Sequence, residues 1–135
     1  MNRFFNMLAM LLLSSTLVGG ATLSLTNFNE TDGTVDVYMD SDTDVAGFQF
    51  NLEGFENVTG ASGGSATAAG FTVSTGGSVV LGFSFTGAVI SSGCGVLTSL
   101  DLLGEANGLI DLVVSDVAGN ALNFEYFPPE EALNS

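Results

Sequence analysis

From Thr22 onward the apolar residues of this chain recur at every second position, in short runs, and do not follow the three- and four-residue spacing of a helix face. Leu23 and Leu25 open the pattern, followed by Val35, Val37 and Met39, then Phe48, Phe50 and Leu52, each alternating with polar or small neighbours. Further runs hold Phe71 and Val73, then Val79, Leu81, Phe83 and Phe85, then residues 96–102, 109–115 and 121–127. Successive side chains of a strand point to opposite faces, so such a chain is confined to strands with one buried side. Clusters of Asx and Gly separate the early runs at 29–33, 40–44 and 60–64, and no segment is predicted to be helical. Eight or nine short strands, about 8 to 14 residues apart, predict an all-β antiparallel jelly-roll sandwich.

The first twenty or so residues read differently. Met1-Asn2-Arg3 makes a short positive start, and Phe4 to Val18 is apolar apart from Asn6 and Ser14-Ser15-Thr16. Gly19-Gly20-Ala21 then supplies the small residues of a signal-peptidase site. A cleaved leader over 1–21 is expected, followed by one folded domain over 22–127 and a flexible tail over 128–135. Pro128 and Pro129 cannot continue a strand ladder. The apolar stretch falls short of the roughly 20 residues that span a bilayer. No membrane association is expected after leader removal, and the product should be secreted and extracellular. Cys94 is the only cysteine, which excludes an internal disulfide. Its small neighbours Ser91-Ser92-Gly93 and Gly95 read as a loop carrying an exposed thiol.

Charge excludes most chemistry. The chain holds one Lys or Arg, no His and fifteen Asp and Glu, for a net charge of −14. The one base, Arg3, lies in the leader, and every acid lies at or beyond Glu30. A Ser or Thr nucleophile needs a His or Lys base, and the domain has neither. Two carboxylates can in principle cleave a glycosidic bond, but a small domain without Trp lacks the usual sugar-stacking surface. No enzymatic activity is therefore expected. Nucleic acid is excluded as a partner, since its phosphates meet only negative charge.

Five segments, taken in order, carry a resemblance. They are Gly33-Thr34-Val35-Asp36-Val37, the strand Val45-Ala46-Gly47-Phe48-Gln49-Phe50-Asn51-Leu52, then Leu81-Gly82-Phe83-Ser84-Phe85, Gly93-Cys94-Gly95-Val96-Leu97, and Ser115-Asp116-Val117-Ala118-Gly119-Asn120-Ala121. Together they cover nearly the whole domain and resemble the cohesin family. The resemblance implies a secreted nine-stranded jelly roll, related in fold to carbohydrate-binding modules. It also implies a non-catalytic docking function toward calcium-loaded dockerin modules of polysaccharide-degrading enzymes. The chain departs from cellulosomal scaffolds in carrying one such domain, with no linker or cellulose-binding module beside it.

Strand parity then marks a candidate binding face. With Phe48, Phe50 and Leu52 inward, Gln49 and Asn51 point out, and with Phe71 and Val73 inward, Thr72 and Ser74 do. With Leu81, Phe83 and Phe85 inward, Val80, Gly82 and Ser84 point out, and Asp111 and Val113 join the same side. By the resemblance these strands form the flat sheet that receives a dockerin, and Gln49 falls where cohesins place polar contacts. The face is expected to be small, polar and nearly uncharged; the simpler alternative is an ordinary solvated sheet surface.

Two oxygen-rich loops suit a hard cation such as calcium. Asp40, Asp42 and Asp44 alternate in one, and Asn27, Asn29, Glu30 and Asp32 occupy the other. Neither is an EF-hand, because Val45 stands where Gly is required and Asn51 where Glu is. Turn-forming Asx residues that also confer solubility are the plainer reading, with calcium the possible ion and no cofactor required. Asp116 and Asn120 are expected to cap a hairpin turn. The favoured reading is a protein-docking module. The alternatives are self-association through edge strands into a layer or fibre, opposed by charge repulsion, and binding to polysaccharide, for which Tyr38 and Tyr126 are the only aromatics with a polar tip.

Overall fold

Residues 21–53, 58–103 and 107–127 are described by a computed structural model. The expected leader, apart from Ala21, and the expected tail lie outside these residues. Ten strands and one short helix follow in chain order: β1 (Ala21–Asn29), β2 (Thr34–Ser41), β3 (Gly47–Glu53), β4 (Val58–Ser62), α1 (Gly64–Ala68), β5 (Thr72–Gly76), β6 (Val79–Phe83), β7 (Gly93–Leu102), β8 (Gly108–Ser115), β9 (Ala121–Leu122) and β10 (Phe124–Tyr126). They form two five-stranded sheets, ordered β10-β1-β2-β7-β4 and β5-β6-β3-β8-β9. This is the two-layer sandwich the alternation predicts.

The first three strands bury the residues their pattern selects. Leu23 and Leu25, Val35, Val37 and Met39, and Phe48, Phe50 and Leu52 all face the interior between the sheets. Each such side chain contributes about 1.5–3 kcal/mol by leaving water. Phe48 stacks against Phe50 at 6.0 Å between ring centroids and against Phe71 at 6.2 Å, the planes within 12° and 9° of parallel. The β1–β2 turn is tied by the Asn29 side chain, whose Oδ1 accepts from the Asp32 N–H at 3.0 Å, while the Gly33 N–H donates to the Asn29 carbonyl at 2.8 Å. Gly33 sits at φ 70, a conformation that glycine adopts without strain. At the other end of the chain Asp116 closes the β8–β9 hairpin, its Oδ1 accepting from the N–H groups of Ala118 and Asn120 at 3.0 and 2.8 Å.

Five expectations change. The parity of β6 is reversed: Val80 is fully buried and Leu81 is 39% exposed. Space explains the reversal, because the Phe48 ring fills the volume that a side chain at position 82 would take, and a Cβ built on Gly82 would overlap that ring. Gly82 and Val80 therefore face inward, and Phe85, expected in the core, lies past the strand and is 82% exposed. The segment 60–64, expected as punctuation, contributes most of β4, which pairs with β7, and opens α1, whose Ala66 is fully buried. Cys94 lies within β7 opposite Asp40 rather than in a loop. The closing segment divides into β9, paired with β8, and β10, which pairs with β1 in parallel, so the described residues form ten strands and one of their pairings is parallel.

Candidate functional site

Cross-strand register assembles the outer face of the β5-β6-β3-β8-β9 sheet into rows. Ser74, Leu81, Gln49 and Val113 lie side by side across four strands. Gly76, Val79, Asn51 and Ile110 form the next row, and Thr72, Phe83, Gly47 and Ser115 flank the first on its other side. Leu81, Ile110 and Val113 are 39%, 40% and 56% exposed. At the margin Phe85 meets Phe83 edge to face at 4.9 Å. The face thus mixes exposed apolar side chains with polar ones, Leu81 and Val113 alternating with Ser74 and Gln49, in place of the small, polar surface expected.

A bulge in β8 sets this pattern. Gln49 pairs with Val113 but Asn51 pairs with Ile110, so Asp111 and Leu112 together oppose Phe50. Strict alternation from the buried Leu109 would send Asp111 inward as an unpaired carboxylate, at a cost of several kcal/mol. The extra residue turns Asp111 out and returns Leu112 and Val114 toward the core. Asp111 takes φ 56, a left-handed conformation that Asp tolerates better than most residues. Its Oδ2 accepts a hydrogen bond from the Asn51 Nδ2 at 3.2 Å. The other amide atom, Asn51 Oδ1, is shielded from solvent and has no hydrogen-bond partner.

The structure brings Gln49, Asn51, Thr72, Ser74 and Asp111 onto this one face. Val80 does not belong to it, since it is buried in the core by the β6 parity described above. Ser84 lies beyond the end of β6, and its Oγ accepts from the N–H groups of Thr86 and Ala88 at 3.1 and 3.0 Å, which makes it a turn residue. Leu81, Ile110 and the outward Phe83 are the members that sequence reasoning missed. The signal for the β6 residues was Gly82, whose missing side chain matches a phenylalanine on the paired strand.

Two of the three acids in the first loop already accept hydrogen bonds. Asp44 Oδ1 accepts from the Ser92 N–H at 2.9 Å, Asp42 Oδ1 accepts from the Thr43 hydroxyl at 3.3 Å, and Asp40 stands exposed on β2. Ser41 between them is buried and closes the turn by donating to the Thr43 carbonyl at 2.7 Å. Among the described residues no three His, Cys, Asp or Glu side chains gather as a metal site. The candidate ligands Asp40, Asp42 and Asp44 are therefore not brought together. Beside the second loop lies an open groove of about 440 Å³, lined by Phe28, Glu30, Asp32, Leu102 and Leu103 among others.

On the opposite sheet Tyr38 stands beside Cys94. A side-chain hydrogen bond to Cys94 and the thiolate's charge raise the phenol's pKa above the ordinary tyrosine value, with burial and Asp40 adding to the rise.

The fold has known counterparts among solved structures. A non-cellulosomal cohesin from the hyperthermophilic archaeon Archaeoglobus fulgidus superposes with a TM-score of 0.54 at 16% identity, covering 83% of this chain and 93% of that one. A cohesin of a type I cohesin–dockerin complex from Clostridium thermocellum matches with a TM-score of 0.51 at 10% identity, over 80% of this chain and 88% of that one. No protein-family model matches the sequence, and no curated protein matches it. The chain has a cohesin-like sandwich fold. No helix among the described residues is long and apolar enough to cross a membrane.

Proposed function

We propose that this chain is a secreted, non-catalytic docking module that receives a protein partner on the outer face of the β5-β6-β3-β8-β9 sheet. The observation that carries the reading is the row of Leu81, Gln49 and Val113, with Ile110 beside it, which leaves apolar side chains exposed on a sheet face that no other described element covers. Three exposed large apolar side chains sharing one sheet face favour an interaction surface over a merely solvated one. The cohesin-like fold supports the same reading, because one of the similar structures is a complex with a dockerin. A dockerin-type module, of the kind carried by polysaccharide-degrading enzymes, is the partner class proposed. Export follows from the leader-like start of the sequence. The absence of His and Lys from position 21 onward supports a binding role over catalysis.

Titration calorimetry with calcium-loaded dockerin domains encoded in the same genome tests this. Leu81→Asp and Val113→Asp should abolish binding while leaving the melting temperature nearly unchanged, since both side chains are exposed. Binding that survives both substitutions, or no binding by any such domain, would overturn the reading.

A further inference from the structure

We propose that the partner presents a basic side chain, Arg in preference to Lys, set among apolar residues, and that Asp111 receives it; this rests on the docking reading above and specifies the partner's chemistry. Asp111 follows Ile110 directly and stands two residues before Val113, and all three face outward because of the β8 bulge. Any surface that covers Ile110, Val113 and Leu81 closely enough to exclude water also covers the Asp111 carboxylate. A carboxylate buried without a cation is strongly disfavoured, whereas one that meets a guanidinium gains short, charge-assisted hydrogen bonds.

No residue of the folded domain supplies that cation. No Lys, Arg or His occurs from residue 21 to the end, while the whole chain carries a net charge of −14. A second copy seated on this face would bring more carboxylates and no countercharge, so the occupant is a different protein. A neutral donor would satisfy the hydrogen bond and leave the charge uncompensated in a dry layer.

Asn51 extends the argument toward Arg. Its amide spends one side on Asp111 at 3.2 Å and leaves Oδ1 without a partner. Rotation of that amide gives up its bond to Asp111 and brings Oδ1 beside the carboxylate, where one donor group can serve both acceptors. A guanidinium carries five N–H donors in a planar fork and serves both acceptors, which an ammonium does less well.

A random peptide library panned on the immobilised full chain supplies the probe. Enriched peptides should carry Arg or Lys flanked by apolar residues. Asp111→Asn should weaken their binding roughly tenfold or more, as expected for loss of a charge-assisted bond. Asn suits the test because it accepts the left-handed backbone at this position, and Asp111→Gly serves as a second variant for the same reason. Replacing the peptide's basic residue by Gln should cost a similar factor, and the two losses should not add. Peptides without a basic residue that ignore Asp111→Asn but are lost with Val113→Ser would overturn the basic-partner inference and leave the docking face standing. Peptides indifferent to both substitutions, or no enrichment, would overturn the two together. Dimerisation abolished by Val113→Ser would assign the face to a second copy and also refute the proposal.

Discussion

Gly82→Ala tests the packing that reversed the parity of β6. A methyl group at this position would overlap three atoms of the Phe48 ring. The ring has little room to yield, because it is 3% exposed and stacked against Phe50 and Phe71. Overpacking of this kind costs about 1–3 kcal/mol, and replacing a strand glycine by alanine returns about 0.5–1 kcal/mol through reduced backbone entropy in the unfolded chain. The net expectation is a loss of about 1–2 kcal/mol. For a domain of this size that lowers the melting temperature by roughly 4 to 15 °C, since each kcal/mol shifts it by about 4–8 °C. Urea denaturation followed by circular dichroism reads the same quantity isothermally, with an unchanged slope if both variants unfold completely. Phe48→Leu, which removes the clashing ring, should cost stability alone yet cost less in the Gly82→Ala background, giving a favourable coupling between the two positions. A Gly82→Ala variant as stable as the parent, with no coupling to Phe48, would refute the reasoning. It would return Gly82 to the outer face and Val80 with it.

Tyr38 should ionise later in the parent than in Cys94→Ala, because the neighbouring sulfur is the largest cause of its raised pKa. Phenolate absorbance in a Tyr126→Phe background isolates the titration, and coincident curves would count against the contact. The sign for stability follows: the folded chain holds the Tyr38 proton more tightly than the unfolded chain, so this contribution is present below the unfolded tyrosine pKa and is lost as pH rises through the folded one. Sodium chloride should raise the melting temperature, because fifteen acidic residues face one base and repel one another. The screening length shrinks from about 30 Å at 0.01 M to about 3 Å at 1 M, and a melting point indifferent to that range would argue that the charges are too dispersed to matter.

The strands that were legible in the sequence are those with one wet side. In β1, β2 and β3 each polar neighbour of an apolar residue falls on the outer face, so period two fixes both the element and its orientation. In β6 both parities hold apolar residues, Val79, Leu81 and Phe83 against Val80, so local pattern decides nothing. The choice is made across the sheet, where Gly82 leaves room for Phe48. In β8 the run Leu109 to Val114 is apolar except for Asp111, and the bulge that resolves it exists only as a mismatch with β3. Most of β4 reads as a breaker because Gly60-Ala61-Ser62 has little strand propensity, and pairing with β7 makes it a strand nonetheless. The same division governs the candidate site. Gln49, Thr72 and Ser74 were visible as polar residues in outward slots and Asp111 as the lone acid of an apolar run, whereas Leu81 and Ile110 were hidden because an apolar side chain is ordinarily counted toward the core.

The two outer faces of the sandwich differ in a way that bears on which one works. On the β10-β1-β2-β7-β4 sheet the charged centre is already satisfied: Asp36 accepts from the Ser99 hydroxyl at 2.6 Å and from the Asn27 amide at 3.0 Å. Covering it with a partner would trade existing hydrogen bonds for new ones. On the other sheet Leu81, Ile110 and Val113 stand in water, so covering them removes apolar surface. Exposed apolar residues on a strand surface ordinarily invite self-association. Here the attraction acts at contact, while like-charge repulsion between copies reaches about 10 Å at 0.1 M salt, so copies are opposed before their faces meet. The same field draws in a positively charged molecule. An acidic body with exposed apolar side chains on a sheet face is thereby biased away from itself and toward a basic, apolar partner.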